Sequence, residues 1–171
     1  MTALSVLVVM GVSSSGKSTV GNLLAQRLGW RFADADAYHP AANVQKMGAG
    51  IPLTDADRAP WLATLRRLIA VALSERQPLV LACSALKEAY RDQLRVDARV
   101  GFIYLHGDEA TLAARAAARR DHFMPPGLLQ SQFATLEEPH DALWVGVDQS
   151  PEAIVESIVD ALADTILTPP D

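Results

Sequence analysis

The stretch Leu4-Ser5-Val6-Leu7-Val8-Val9-Met10-Gly11-Val12-Ser13-Ser14-Ser15-Gly16-Lys17-Ser18-Thr19-Val20 decides the fold. It opens as a short apolar run, turns through a serine-rich segment bounded by glycines, and enters a pattern in which Val20, Leu23, Leu24 and Leu28 recur at helical spacing. Within it, residues 11–18 match G-x-x-x-x-G-K-S/T in full, with a strand before and a helix after as the motif requires. Glycines let the backbone curl so that several N–H groups converge on one phosphate. The following helix adds its positive N-terminus. Lys17 can reach the β- and γ-phosphates, and the Ser18 hydroxyl can ligand Mg²⁺.

Outward from this loop, apolar runs at residues 4–10, 30–34, 79–84, 100–105 and 143–148 read as buried strands. Most are continuous rather than alternating, which suits a parallel sheet covered on both faces. Helical patterns lie between them. One carries Trp61, Leu65, Leu68 and Ala72, with Thr54 or Asp55 able to cap it and Asp57 in its first turn. Ser150-Pro151-Glu152 starts another, with an apolar stripe of Ile154, Val155, Ile158, Val159 and Leu162. The expectation is a three-layer α/β domain of the P-loop NTPase type around a central five-stranded parallel sheet. Ligands on such sheets bind beyond the carboxyl ends of the strands, which selects the loops after Met10, Asp34, Ser84, Leu105 and Asp148.

A chain of 171 residues reads as one domain. Its 50% hydrophobic and 20% charged residues are ordinary for a globular protein. A net charge of −5 disfavours nucleic acid as the main partner. The lone Cys83 allows no intrachain disulfide and fits a reducing, cytoplasmic setting. The first apolar run leads straight into the glycine-bounded loop and reads as a strand rather than a signal peptide. No stretch approaches the roughly 20 apolar residues of a membrane span. The polar, Pro-containing tail at residues 168–171 is expected to fray.

A phosphate loop alone does not separate a GTPase, a motor ATPase and a small-molecule kinase. Guanine selection needs N-K-x-D, and neither Asn22 nor Asn43 begins one. A motor ATPase carries an acid at the end of a hydrophobic strand, whereas the run at 79–84 ends in Cys83-Ser84. A kinase fits best. Asp34 and Asp36 lie two apart at a strand end and so point the same way. One can support Mg²⁺ and the other can accept or orient the proton of an attacking hydroxyl; a solvated acidic loop or a helix cap is the plainer reading. Arg58 is either a fork for a substrate carboxylate or an exposed partner of Asp55 or Asp57. Lys87 and Arg91, four apart, would share a helix face near the ligand edge or form a solvated basic stripe. Arg115, Arg119 and Arg120, followed by Asp121-His122-Phe123-Met124-Pro125-Pro126, suggest a lid over the triphosphate, at about residues 119–127, that excludes water.

These residues together resemble gluconokinases, small P-loop enzymes that phosphorylate D-gluconate at its 6-hydroxyl. The resemblance runs from Leu4 to about Ile166. It rests on Met10-Gly11-Val12-Ser13, Asp34-x-Asp36-x-x-His39-Pro40-x-x-Asn43-x-x-Lys46-Met47, Gly50-x-Pro52-Leu53-x-Asp55-x-Asp57-Arg58-x-Pro60-Trp61-Leu62, Cys83-Ser84-Ala85-Leu86-Lys87-x-x-Tyr90-Arg91-Asp92, Phe102-x-Tyr104-Leu105, Arg119-x-x-His122-Phe123 and Gln132-Phe133-x-x-Leu136-Glu137-x-Pro139. The second, third and fourth separate this family from shikimate and nucleoside monophosphate kinases of the same fold. The resemblance implies that Gly11, Val12, Ser13, Ser14, Ser15, Gly16, Lys17, Ser18 and Thr19 hold ATP, with Ser18 on Mg²⁺. It implies Asp34 as metal support or base, and Asp36, His39, Arg58, Lys87 and Arg91 around gluconate. Arg119 and His122 would come from the lid, with Arg115 and the loop at 148–151, including Gln149, at the adenine. A homodimer is implied as well. Ser14 and Asp121 depart from glycines common in the family. The rival expectations are a shikimate-type kinase, a nucleotide-binding module without turnover, and an interaction protein with an accidental motif.

Overall fold

The computed structural model describes residues 2–118, 126–165 and 167–169. Its strands are β1 (Val6–Met10), β2 (Arg31–Asp34), β3 (Leu79–Ala82), β4 (Val100–His106) and β5 (Leu143–Gly146). They form one parallel sheet in the order β2-β3-β1-β4-β5, as the continuous apolar runs require. β1 lies at the centre, with Val8 level with Leu81 on one side and Phe102 on the other.

The helices are α1 (Lys17–Leu28), α2 (Ala41–Gly48), α3 (Asp55–Ser74), α4 (Glu88–Leu94), α5 (Glu109–Ala118), α6 (Pro126–Thr135) and α7 (Pro151–Ala161). The period-two geometry of a strand divides the core between two layers. Val6, Val8 and Met10 pack with Trp61, Leu65 and Ile69 of α3. Leu7 and Val9 pack with Val20 and Leu24 of α1 and Ile154 and Ile158 of α7. All five β1 side chains are buried, and each Val or Leu so placed contributes about 1.5–3 kcal/mol.

The strands are shorter than the apolar runs, because the ladder ends before the apolar residues do. Cys83 and Val147 lie past β3 and β5 yet still donate to the Val9 and His106 carbonyls at 3.0 Å each. Thr54 caps α3: its hydroxyl accepts from the Asp57 N–H, and the Asp57 carboxylate accepts from the Thr54 N–H, a reciprocal capping box. Ser150 caps α7 ahead of Pro151, as read from sequence. A 3-10 turn at Ala35–Tyr38 and helix α2, neither expected, fill the segment between β2 and α3.

Thr168, the first residue of the tail expected to fray, is tied down: its N–H donates to the Leu4 carbonyl at 2.9 Å, its hydroxyl meets Ser5 Oγ at 2.6 Å, and its carbonyl accepts from the Trp30 indole at 3.1 Å; residues 170–171 lie outside the described residues. One expectation is corrected. Lys87 and Arg91 do not share a face, because Lys87 is the extended residue that precedes α4. Arg91 instead turns inward and is 1% exposed. Its guanidinium donates to the carbonyls of Ala85 (2.7 Å), Leu86 (3.1 Å) and Glu137 (2.7 Å) and to the Glu88 carboxylate (2.9 Å). It therefore clamps the loop after β3 to the segment after α6 rather than facing a ligand. No helix among the described residues is long and apolar enough to cross a membrane.

Replacing Arg91 by Met removes three charge-assisted bonds to carbonyls and leaves the buried Ala85 carbonyl without its donor, while Leu86 keeps the Glu137 N–H at 2.8 Å, so the expected cost is about 3 kcal/mol. That corresponds to a fall of about 6–12 °C in Tm, read by thermal unfolding; an unchanged Tm would overturn the clamp. The capping box predicts a pH effect. The Thr54 N–H, and then Lys46, hold the Asp57 carboxyl down at about 2, below its unfolded value near 3.9. Folding thus favours the anion, and this stabilisation is complete above about pH 4 and lost as pH falls through about 2. D57N should flatten the loss of Tm in that acid window, and an unchanged acid limb would contradict it.

Candidate active site

The loop between β1 and α1 has the backbone its sequence demands. Gly11 has φ 152°, and a Cβ there would stand 2.8 Å from the Leu105 carbonyl oxygen. Gly16 takes φ 92° as the residue before α1. Ser14, the departure from the family glycine, is also left-handed at φ 66°, a conformation that costs a residue with a Cβ about 1 kcal/mol or more. The substitution is therefore not neutral to the backbone. Lys17 Nζ curls back to donate to the Val12 carbonyl at 2.9 Å. Ser15 Oγ is buried and has no hydrogen-bond partner among the described residues.

The acidic pair divides its work. The Ser18 hydroxyl donates to Asp34 Oδ2. Asp34 Oδ1 accepts from the Asp36 N–H at 3.0 Å and so caps the 3-10 turn. One hydroxyl and one carboxylate, completed by water and phosphate oxygens, are the hard oxygen donors that suit Mg²⁺. Asp36, two residues on, lines a cavity instead.

The loop is a wall between two cavities. The larger, about 370 Å³, is bounded by Ser14, Ser15, Gly16, Thr19 and Val20 on one side and by Arg115, Ala118, Gln149, Pro151 and Ile154 on the other. Here Arg115 donates to the Val147 carbonyl, so β5, α5 and α7 meet where the sequence reading puts a purine. The smaller, about 100 Å³, is lined by Ser13, Lys17, Asp36, His39, Met47, Leu53, Arg58, Trp61, Ser84, Leu86 and Gln132.

Three of the acceptor-side residues singled out in the sequence, Asp36, His39 and Arg58, thus come together. Arg58 pairs with neither Asp55 nor Asp57. Its Nη1 donates to the Leu53 carbonyl at 2.9 Å and to Tyr90 Oη at 3.1 Å. Asp55 is held by Lys87 at 3.0 Å and by the Tyr90 hydroxyl. These bonds, Tyr90 first and Lys87 second, lower its pKa, and the Asp55 bond raises that of Lys87. Burial, and then the bond to Asp55, raise the Tyr90 pKa. Lys87 is consequently engaged at the cavity's edge, and neither it nor Arg91 lines the cavity. Arg119 and His122, with the rest of 119–125, lie outside the described residues.

Two contacts hold the His39 ring. Its ring stacks on Trp61 with centroids 4.2 Å apart and planes at 13°. Trp61 is itself fixed by its indole N–H on the Ala35 carbonyl at 2.8 Å. The Asn43 amide nitrogen donates to His39 Nδ1 at 3.2 Å and to the Asp57 carbonyl at 2.9 Å. An amide nitrogen only donates, so Nδ1 is the acceptor and the neutral ring carries its proton on Nε2. Burial lowers the His39 pKa, Asp36 opposes that shift, and Arg58 adds to it. Asn43, Trp61, Tyr90 and Gln132 were not singled out from sequence. Their spacing offered no signal for these contacts: α2 begins at Ala41, so no helical period links the extended His39 to Asn43.

The comparisons with known proteins agree with this geometry. A family model described as an AAA domain matches residues 6–139. A gluconokinase from Gluconobacter oxydans is 48% identical over 157 residues, spanning 90% of this chain and 88% of its own. A probable gluconokinase from Mus musculus is 45% identical over 183 residues, spanning 95% and 100%. The crystal structure of a gluconokinase from Sinorhizobium meliloti superposes with a TM-score of 0.85 at 45% identity, covering 95% of this chain and 94% of that one. With its phosphate loop dividing two cavities and its relatives alike over nearly their whole length, the chain belongs to the gluconokinase family of AAA-domain P-loop proteins.

Proposed function

We propose that the protein transfers the γ-phosphoryl group of ATP to the 6-hydroxyl of D-gluconate, giving 6-phospho-D-gluconate and ADP. The observation that carries this reading, beside the family, is one loop lining both cavities: Ser14–Gly16 face the larger and Ser13 and Lys17 the smaller. A nucleotide along the first cavity would bring its terminal phosphate to the second. Arg115 and Gln149 would border the adenine.

The chain's own residues would act as follows. Arg58, steadied by Leu53 and Tyr90, binds the gluconate carboxylate. His39 donates from Nε2 to a hydroxyl oxygen. Asp36, which lines the cavity beside Lys17, accepts or orients the proton of the attacking 6-hydroxyl. Asp34 is engaged with Ser18, and this pair would hold Mg²⁺, which supplies neutralisation of the phosphate charge when bound. Lys17 stabilises the charge that spreads over the transferring group. Arg119 and His122 keep the lid roles that the resemblance gives them. A cytoplasmic homodimer completes the reading.

A coupled ADP-release assay with Mg-ATP and a panel of D-gluconate, shikimate, other sugar acids and no acceptor tests it. Turnover on gluconate above the no-acceptor rate is expected; turnover only on another acceptor would discard the pocket assignment while keeping the kinase. K17M should lower kcat by about 10²-fold or more. R58A removes a charge-assisted bond of about 1.5–3 kcal/mol, so kcat/KM for gluconate should fall about 10- to 100-fold. The KM for ATP should stay within about 3-fold. Unchanged gluconate kinetics would remove Arg58 from the carboxylate site.

A further inference from the structure

Gln132 is 119 residues away from the phosphate loop in sequence and touches it in space: the Ser13 N–H donates to Gln132 Oε1 at 2.7 Å. Because a backbone N–H can only donate, the amide oxygen must be the atom facing Ser13, and the amide orientation follows from chemistry. The NH₂ group, with two donor hydrogens, is then left over. It has no hydrogen-bond partner among the described residues. The side chain lines the smaller cavity together with Ser13, Lys17 and Asp36. That is where a phosphoryl group leaving the loop would meet an acceptor.

We propose that Gln132 is a direct contact of the transferring phosphoryl group: anchored through Oε1 on Ser13, it donates from Nε2 to a γ-phosphate oxygen. The proposal rests on the phosphotransfer reading and deepens it. Charge in such a transfer spreads over three equatorial oxygens. Lys17 serves one side of that group, and a neutral amide on α6 serves another without adding charge to the cavity. Anchoring by Ser13 lowers the cost of orienting the donor, because the side chain is already held when the nucleotide arrives.

The test compares Mg-ADP with the Mg complex of β,γ-imido-ATP, by titration calorimetry, on the wild type, Q132E and Q132M. Q132E keeps the shape and puts a negative oxygen where the donor was; Q132M removes both polar atoms. ADP affinity should stay within about 3-fold in both, whereas affinity for the γ-bearing analogue should fall about 10-fold or more in Q132E and less in Q132M. In the acceptor reaction, loss of this donor in Q132M should lower kcat by about 10²-fold relative to the wild type. Equal losses for the two nucleotides, or no loss for either, would overturn the proposal, because a merely structural side chain cannot discriminate by the third phosphate. Should Q132E fail to fold, the Q132M ratio decides alone. The binding arm needs no acceptor: a wild type that binds the analogue yet leaves gluconate untouched sinks the gluconate reading and leaves Gln132 to be judged by its ratio. A wild type that binds neither nucleotide overturns both.

Discussion

The constraint on which the site depends is the absence of room around Gly11. Its backbone passes so close to β4 that a single added carbon would stand 2.8 Å from the Leu105 carbonyl oxygen. On its other flank the Gly11 N–H approaches the Ser84 carbonyl at 3.4 Å. The loop is therefore fixed between the ends of β3 and β4, and β1 must be the central strand. With β1 central, the order β2-β3-β1-β4-β5 brings Asp34 to the loop's Ser18 on one side and the β5–α7 connection to the nucleotide cavity on the other. The left-handed turns at Ser14 and Gly16 that let the amides converge are held because both flanks are anchored.

The acceptor side is organised by hydrogen bonds that take charges out of competition. Asp55 would attract Arg58 across a short distance, yet it is saturated by Lys87 and Tyr90, and Tyr90 then passes only a neutral hydroxyl to Arg58. Asp57 is consumed by the start of α3 and by Lys46. The capping box that begins α3 thus has a second effect. It keeps a carboxylate one residue away from Arg58 from neutralising it. Asn43 links the two halves, with one amide hydrogen on the Asp57 carbonyl and the other on His39.

Features legible in the sequence were those whose cause is local. The five strands, the phosphate loop and the capping of α7 follow from short-range patterns, whereas period two does not carry Asp34 and Asp36 to one side, because β2 ends at Asp34 and Asp36 lies in the 3-10 turn that Asp34 caps. The places where reading by spacing failed are those where backbone geometry changes between two residues. Lys87 and Arg91 are four apart, but α4 begins only at Glu88, so a helical period does not connect them. One cation went out to Asp55 and the other into the core. Gln132 was visible as part of a motif and silent as to role, since nothing within its own helix shows that it meets Ser13. Trp61 read as core, correctly, but a 1% exposed indole can also be the platform for a functional imidazole. The tail looked polar enough to fray, and what holds its first residue, Thr168, is long-range: the bridge of Leu167 to Leu4 and bonds to Leu4, Ser5 and Trp30.

The charge balance of the smaller cavity narrows what could be drawn into it. Its lining carries Lys17 and Arg58 against Asp36. His39 adds no charge near neutrality, because burial holds its pKa below the usual histidine value. Lys17 belongs to the phosphate side, which leaves Arg58 as the cation toward the acceptor among the described lining residues. A single guanidinium beside one carboxylate and a neutral imidazole favours an acceptor with one anionic group and several hydroxyls. A dianionic acceptor would leave a charge desolvated without a partner, and a neutral polyol would leave Arg58 with only carbonyl and phenol oxygens. A sugar acid, with one carboxylate for Arg58 and hydroxyls for Asp36 and His39, meets both conditions.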